Sequence, residues 1–164
     1  MSDGGGVFVG LGANLGDRAE TIARAVQRMA ASGRVEVLKV SNLYRTAPWK
    51  VLDQPQFLNA VAEIATDLTP VALVERLLDI EHALGRDRTE GTRWAARTID
   101  LDLLLYRDEV VHDPGCRVPH PLLHEREFAL RPLLEIAPAV VIPGRGAAAD
   151  WLARLDESSE VAVA

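Results

Sequence analysis

Three features of the chain predict an α+β sandwich with a mostly antiparallel sheet: the order of its periodic segments, its length, and the lack of any repeat or linker. Strand-like alternation and helix-like spacing succeed one another as β-α-β-β-α-β, and extra elements are appended after the last strand. This is the split βαβ order, so the expected architecture is ferredoxin-like. At 164 residues and 48% hydrophobic, the chain is expected to form a single domain over 1-164. That size buries about two-thirds of the unfolded surface. Residues 1-6 and about 157-164 are expected to be flexible.

In order along the chain, Gly6 to Leu11 is an apolar strand, and Asn14 to Arg18 is a turn whose polar side chains can cap a helix over Arg18 to Ala31. Val35 to Tyr44 and Phe57 to Thr66 read as strands. Pro70 suits a first helical turn because its φ is preset and it needs no hydrogen-bond partner. It introduces a helix over Val71 to Leu84, with Val74, Leu77, Leu78, Glu81 and Leu84 on one side and Gly85 as its stop. A strand over Thr98 to Tyr106, a short strand over Glu109 to Val111 and a helix over Arg126 to Ile136 complete the pattern.

The strand over Thr98 to Tyr106 carries the most chemistry. Ile99, Leu101, Leu103 and Leu105 alternate with period two, which sends Asp100 and Asp102 to the opposite face, roughly 7 Å apart. Two like charges on an otherwise apolar strand call for something positive opposite them. An all-oxygen site of this kind suits magnesium, which keeps several waters and takes further ligands from a phosphate substrate. A solvated pair of aspartates on an exposed face is the alternative. Arg86, Arg88, Arg93 and Arg97 crowd into the preceding segment, and guanidinium forks beside a carboxylate pair are what a polyphosphate needs.

Other classes fit less well. The formal net charge of −6 argues against a general nucleic-acid surface. No run approaches the roughly 18 apolar residues of a membrane span. A lone Cys116 and no leader-like segment before Val7 point to a reducing, cytoplasmic compartment. Gly10-x-Gly12-x-x-x-Gly16 is spaced wrongly for a dinucleotide fingerprint and reads instead as a strand-to-helix turn capped by Asn14 or Asp17. Phe57 and Asn59 share a strand face, pairing an apolar ring with an amide that both donates and accepts, which suits a flat heterocycle. Phe57 in a core is the alternative. Glu81, on the inward side of its helix, needs a partner, and a salt bridge fixing the turn at Gly85-Arg86 competes with a direct catalytic part. His120 is held between Pro119 and Pro121, whereas His82, His112 and His124 read as surface or capping groups.

The blocks Gly12-Ala13-Asn14-Leu15-Gly16-Asp17-Arg18, Ser41-x-x-Tyr44-x-Thr46-x-Pro48, Asp53-Gln54-Pro55-x-Phe57-x-Asn59, Glu81-x-x-x-Gly85-Arg86-x-Arg88, Arg97-Thr98-Ile99-Asp100-Leu101-Asp102-Leu103-Leu104, Val118-Pro119-His120-Pro121 and Arg126-x-Phe128-x-Leu130-x-Pro132-Leu133 follow in register. Together they resemble the 6-hydroxymethyl-7,8-dihydropterin pyrophosphokinase family over about Val7 to Pro138. The resemblance implies the same fold and transfer of a pyrophosphoryl group from ATP to a pterin alcohol, giving AMP. It implies two Mg2+ ions on Asp100 and Asp102, with Arg86 and Arg97 also catalytic. ATP would be bound by Arg86, Arg88, Trp94, Arg97, His120 and Arg126. The pterin would be bound by Thr46, Ala47, Trp49, Phe57, Asn59 and Phe128, and the enzyme is expected to be a monomer.

Trp49-Lys50 and Ala95-Ala96 depart from the Leu-Gly and Gly-Pro common in the family, and Thr89 stands where a lysine often occurs. Asp87 to Ala96, polar and aperiodic, reads as a mobile lid over ATP. Two other classes remain in view. A ferredoxin-like ligand- or RNA-binding module would not need the paired aspartates. A nucleotidyltransferase using the same Asp-x-Asp would release pyrophosphate.

Overall fold

A computed structural model describes residues 5–13, 18–46, 57–85, 99–155 and 161–163. Its principal sheet begins with β1 (Val7–Ala13), runs through α1 (Arg18–Ala31), β2 (Val35–Val40), β3 (Tyr44–Thr46) and β4 (Phe57–Thr66), and after α2 (Pro70–Gly85) reaches β5 (Asp100–Tyr106). The ladders are all antiparallel. β1 lies between β4 and β5, and β2 and β3 share the other edge of β4. The mixed helix and antiparallel-sheet class expected from the sequence is therefore the class observed.

Alternation decides which side most strand residues take. A register shift between Phe8 and Val9 breaks it in β5, so Leu105 joins Leu104 on the face opposite Leu103 instead of following the expected period. Val7, Val9 and Leu11 bury one face of β1 against Ile22, Ala25 and Met29 of α1 and Leu73, Leu77 and Ile80 of α2. On the other face, Phe8, Val61, Leu104 and Leu105 meet Leu130 and Leu133 of α3 (Glu127–Ile136). The apolar side of α2 is set by Leu73, Leu77 and Ile80, while Leu78 is exposed. The expected set over Val74 to Leu84 was therefore rotated by about one residue, because Val74 and Leu84 pack only at the margin of the stripe.

The single strand expected from Val35 to Tyr44 is broken in two. A register shift falls between Val37 and Lys39. Beyond it, Ser41 N donates to Val61 O at 2.9 Å, and Val61 N donates to Ser41 Oγ at 3.0 Å. The hydroxyl thus takes the place of a backbone carbonyl and ends regular pairing. Asn42 N and the Tyr44 hydroxyl then both donate to the Glu135 carboxylate of α3, at 3.0 and 2.7 Å to Oε1. Burial, and next this bond to a carboxylate, push the Tyr44 phenol up to about 12. A carboxylate at the far end of α3 therefore ties that helix to the strand leading into residues 47–56.

The appended elements differ most from expectation. Instead of a strand over Glu109 to Val111, a hairpin pairs β6 (Val111–Asp113) with β7 (Cys116–Val118) around Pro114-Gly115. A small ladder of β8 (Val141–Ile142) and β9 (Gly146–Ala147) precedes α4 (Ala148–Leu155). Val161–Val163, in the tail expected to be flexible, pairs with β3 as β10. His124 is buried, not a surface group: its ring meets Trp151 of α4 edge-on at 4.8 Å between centroids. Its Nε2 lies 3.3 Å from Glu125 Oε2. Among the described residues, no helix is long and apolar enough to cross a membrane.

Candidate active site

Cross-strand register builds the floor of the site. Gly12 of β1 pairs with Asn59 on one side and Asp100 on the other, and Gly10 pairs with Val61 and Asp102. Residues opposite one another in a ladder point to the same face, so Asn59, Gly12 and Asp100 form one row and Val61, Gly10 and Asp102 the next. Both glycines lie in β1, which continues two residues beyond the expected strand end at Leu11. Their function is to leave the floor bare. A Cβ on Gly12 would stand 2.9 Å from Asn59 Oδ1, closer than van der Waals contact allows. Glycine alone lets the amide lie across this row.

Above the floor is a cavity of about 260 Å³, lined by Phe57, Asn59, Asp100, Asp102, Arg126 and Phe128 as well as the two glycines. Six residues singled out from sequence are thus brought together. Phe57 is 41% exposed, which removes the core alternative for this ring. Asn59 is buried. Phe128 sits in the first turn of α3, and the Arg126 guanidinium carbon lies 5.5 Å from its ring centroid. Arg126 Nη1 also approaches Asp102 Oδ2 at 3.9 Å. Thr46 stands opposite Phe57 in the β3–β4 ladder. Ala47, Trp49, Arg86, Arg88, Trp94 and Arg97, with the capping candidates Asn14 and Asp17 and the lid expected over Asp87 to Ala96, lie outside the described residues.

A second cavity of about 340 Å³ opens along the edge of β5 between α2 and the β6–β7 hairpin. Asp102 lines both cavities, so this residue stands at their shared wall. His120 lines the second. Its backbone N–H donates to Leu104 O at 2.9 Å, docking the Pro119–Pro121 segment on β5. Its Nδ1 accepts the Leu122 N–H at 3.1 Å, so the neutral ring carries its proton on Nε2. Burial lowers the His120 pKa below its ordinary value; the Asp102 charge opposes this and the Arg126 charge adds to it. The imidazole is therefore a neutral donor near pH 7.

Glu81 finds the partner that its position demands, and it is a backbone group. The Leu101 N–H donates to Glu81 Oε2 at 2.7 Å. Leu101 lies between the two aspartates on the edge strand, so a carboxylate from α2 fixes the backbone that presents them. The salt bridge expected at the turn would involve Arg86, which lies outside the described residues. In Glu81→Ala, exchange of the Leu101 amide should accelerate by about tenfold or more, with smaller changes elsewhere in β5. Unchanged protection at Leu101 would show that the bond does not hold the strand.

Sequence reasoning missed Gly10 and Gly12 as the floor. The available signal was two glycines spaced by two inside an apolar strand, a pattern of close approach on one strand face.

The architecture is shared with solved HPPK-DHPS structures. One, determined in complex with substrates, superposes with a TM-score of 0.68 at 12% identity, over 96% of this chain and 44% of that one. Another, a Plasmodium falciparum triple mutant, gives 0.71 at 13% identity over 94% and 45%. This chain thus spans less than half of those longer chains, and the likeness is one of fold.

Sequence goes further. A family model for 7,8-dihydro-6-hydroxymethylpterin-pyrophosphokinase (HPPK) matches residues 8–138, and the chain belongs to this family. A 2-amino-4-hydroxy-6-hydroxymethyldihydropteridine pyrophosphokinase from Methylorubrum extorquens is 46% identical over 92% of this chain and 94% of its own length. One from Bacillus subtilis is 44% identical over 81% and 78%. Membership makes the chain a pyrophosphokinase of folate synthesis, with ATP as the co-substrate that such a kinase requires.

Proposed function

We propose that the glycine-floored cavity is the pterin site, that Asp100 and Asp102 hold magnesium at its end, and that the second cavity takes the nucleotide. The observation that carries this reading is the shared row: Asn59 and Asp100 flank Gly12 on one sheet face, so a ring hydrogen-bonded at one end presents its substituent at the other. The reaction is transfer of pyrophosphate from ATP to 6-hydroxymethyl-7,8-dihydropterin, giving the pterin diphosphate and AMP.

Each residue has a physical part in this scheme. Phe57 and Phe128 offer apolar faces to the two sides of a flat ring, and Asn59 matches the alternating donors and acceptors of a pterin edge. Thr46, Ala47 and Trp49 are assigned to the same pocket by resemblance. The donor set fits magnesium. Among the described residues, no cluster of three or more His, Cys, Asp or Glu could hold a metal by itself, and a carboxylate pair suffices for an ion that keeps waters and takes phosphate oxygens. Two such ions, when bound, would neutralise phosphate charge and lower the pKa of the attacking alcohol. His120 Nε2–H and Arg126 are donors for phosphate oxygens. Arg86, Arg88, Trp94 and Arg97 are assigned to ATP by resemblance, with Arg86 and Arg97 stabilising charge that grows on the transferred group. A monomeric cytoplasmic enzyme without membrane or nucleic-acid partners completes the proposal. The net charge of −6 supports the last point, and the family supports the others.

Mixing the protein with ATP, magnesium and the pterin alcohol, then identifying the nucleotide released, tests the reaction. Attack at the β-phosphorus releases AMP, attack at the γ-phosphorus ADP, and attack at the α-phosphorus pyrophosphate. AMP that depends on both substrates and on magnesium is expected. ADP or pyrophosphate would replace the proposal with an ordinary kinase or a nucleotidyltransferase.

A further inference from the structure

Arg126 lines the first cavity beside Asp102, the residue that also lines the second. Its backbone is set by the start of α3, for which it is the N-cap residue, with φ −110° and ψ 98°. Its guanidinium reaches in two directions, to the Phe128 ring at 5.5 Å and to Asp102 at 3.9 Å. The second distance is too long for a good hydrogen bond yet short enough for charge attraction. Both partners are part-exposed, at 31% and 46% of their side chains, so the attraction is weak and screened by salt. A loosely held cation beside the carboxylate of Asp102 is one that another cation can displace.

We infer that Arg126 is the resident counter-ion of Asp102 before substrates bind, and that a divalent cation arriving on this carboxylate releases the guanidinium to the incoming phosphates. This rests on the assignment of Asp100 and Asp102 to metal given above.

Three roles for Arg126 differ in their effect on binding. A resident counter-ion competes with metal, so its removal tightens binding of the metal alone and weakens binding of the metal–nucleotide complex. A residue that only shapes the pocket would weaken both when replaced. A residue that only binds nucleotide would leave the metal alone unaffected. Opposite signs for the two ligands are the signature.

The experiment titrates Mn2+ alone into the full chain without nucleotide, following free Mn2+ by electron paramagnetic resonance, for the parent, Arg126→Gln and Arg126→Lys. Arg126→Gln should bind Mn2+ about two- to fivefold more tightly at low ionic strength, the range that removal of a partly exposed opposing charge supplies. Arg126→Lys should stay within about twofold of the parent, and the Gln advantage should shrink as salt is raised. With Mn2+ and α,β-methylene-ATP, the Gln variant should bind the nucleotide about tenfold more weakly, through loss of a charge-assisted bond. Thermal melts check that the variants are folded. Arg126→Met, which keeps an apolar stem against Phe128, repeats the test if Gln destabilises α3. Unchanged or weaker Mn2+ binding by the charge-removing variants, with the parent binding Mn2+, overturns the counter-ion role and leaves the metal assignment standing. A parent that binds no Mn2+ overturns both.

Discussion

Asp100→Ala and Asp102→Ala should each lower turnover by about a thousandfold or more while leaving the fold intact. Removal of a charge that orients and neutralises phosphate in a closed site costs on this scale. The fold should not suffer, because both side chains are part-exposed and stand opposite Gly12 and Gly10 rather than in the apolar core. Substitutions of this kind usually stay within about 0.5 kcal/mol. Turnover is to be measured at saturating magnesium beside a urea denaturation curve. Activity within tenfold of the parent would remove the pair from the chemistry. Lost activity with an equally lost denaturation midpoint would make their role structural.

The second large effect concerns the pterin end. Asn59→Ala should weaken pterin binding by roughly ten- to a hundredfold, since a ligand edge that loses its matched amide is left with unpaired polar groups. Nucleotide affinity should be unchanged, because Asn59 lines the first cavity and not the second. Gly12→Ala is the sharper companion. Its new methyl would stand 2.9 Å from Asn59 Oδ1, the end of a side chain that can rotate away. Stability should therefore change little while pterin affinity falls toward that of Asn59→Ala. Fluorescence titration with the pterin, before and after saturation with a nucleotide analogue, measures both. A Gly12→Ala protein that binds pterin as the parent does would show that the amide position is not what the glycine protects.

Much of this site was legible in the sequence because strand geometry is regular. Period two alone places Asp100 with Asp102 and Phe57 with Asn59. Strand pairing is what the sequence leaves open. Nothing in the residues of β1 says that Gly12 lies between Asn59 and Asp100, because a ladder joins positions remote in the chain. The break at Ser41 escaped for a related reason. Its cause is a hydroxyl bonded to Val61 and a carboxylate from α3 on Asn42, both tertiary contacts. Glu81 was recognised as needing a partner, yet side-chain reasoning looked for an ion and overlooked the edge N–H of Leu101. His124 was misjudged because α4, whose Trp151 meets its ring, was not expected, although Ala148 to Leu155 is amphipathic with Asp150 in its first turn and Arg154 in its last.

In the proposed arrangement, the carboxylate pair on β5 holds metal at the point where the cavity proposed for pterin meets the one proposed for nucleotide. Crystals of the protein with Mn2+, α,β-methylene-ATP and the pterin alcohol, measured at the manganese edge, test it directly. Anomalous peaks about 2.1 Å from carboxylate oxygens of Asp100 and Asp102 are expected, with the pterin lying over Gly12 against Asn59. Peaks lying away from both aspartates, or a pterin bound away from the Gly12 row, would contradict the account.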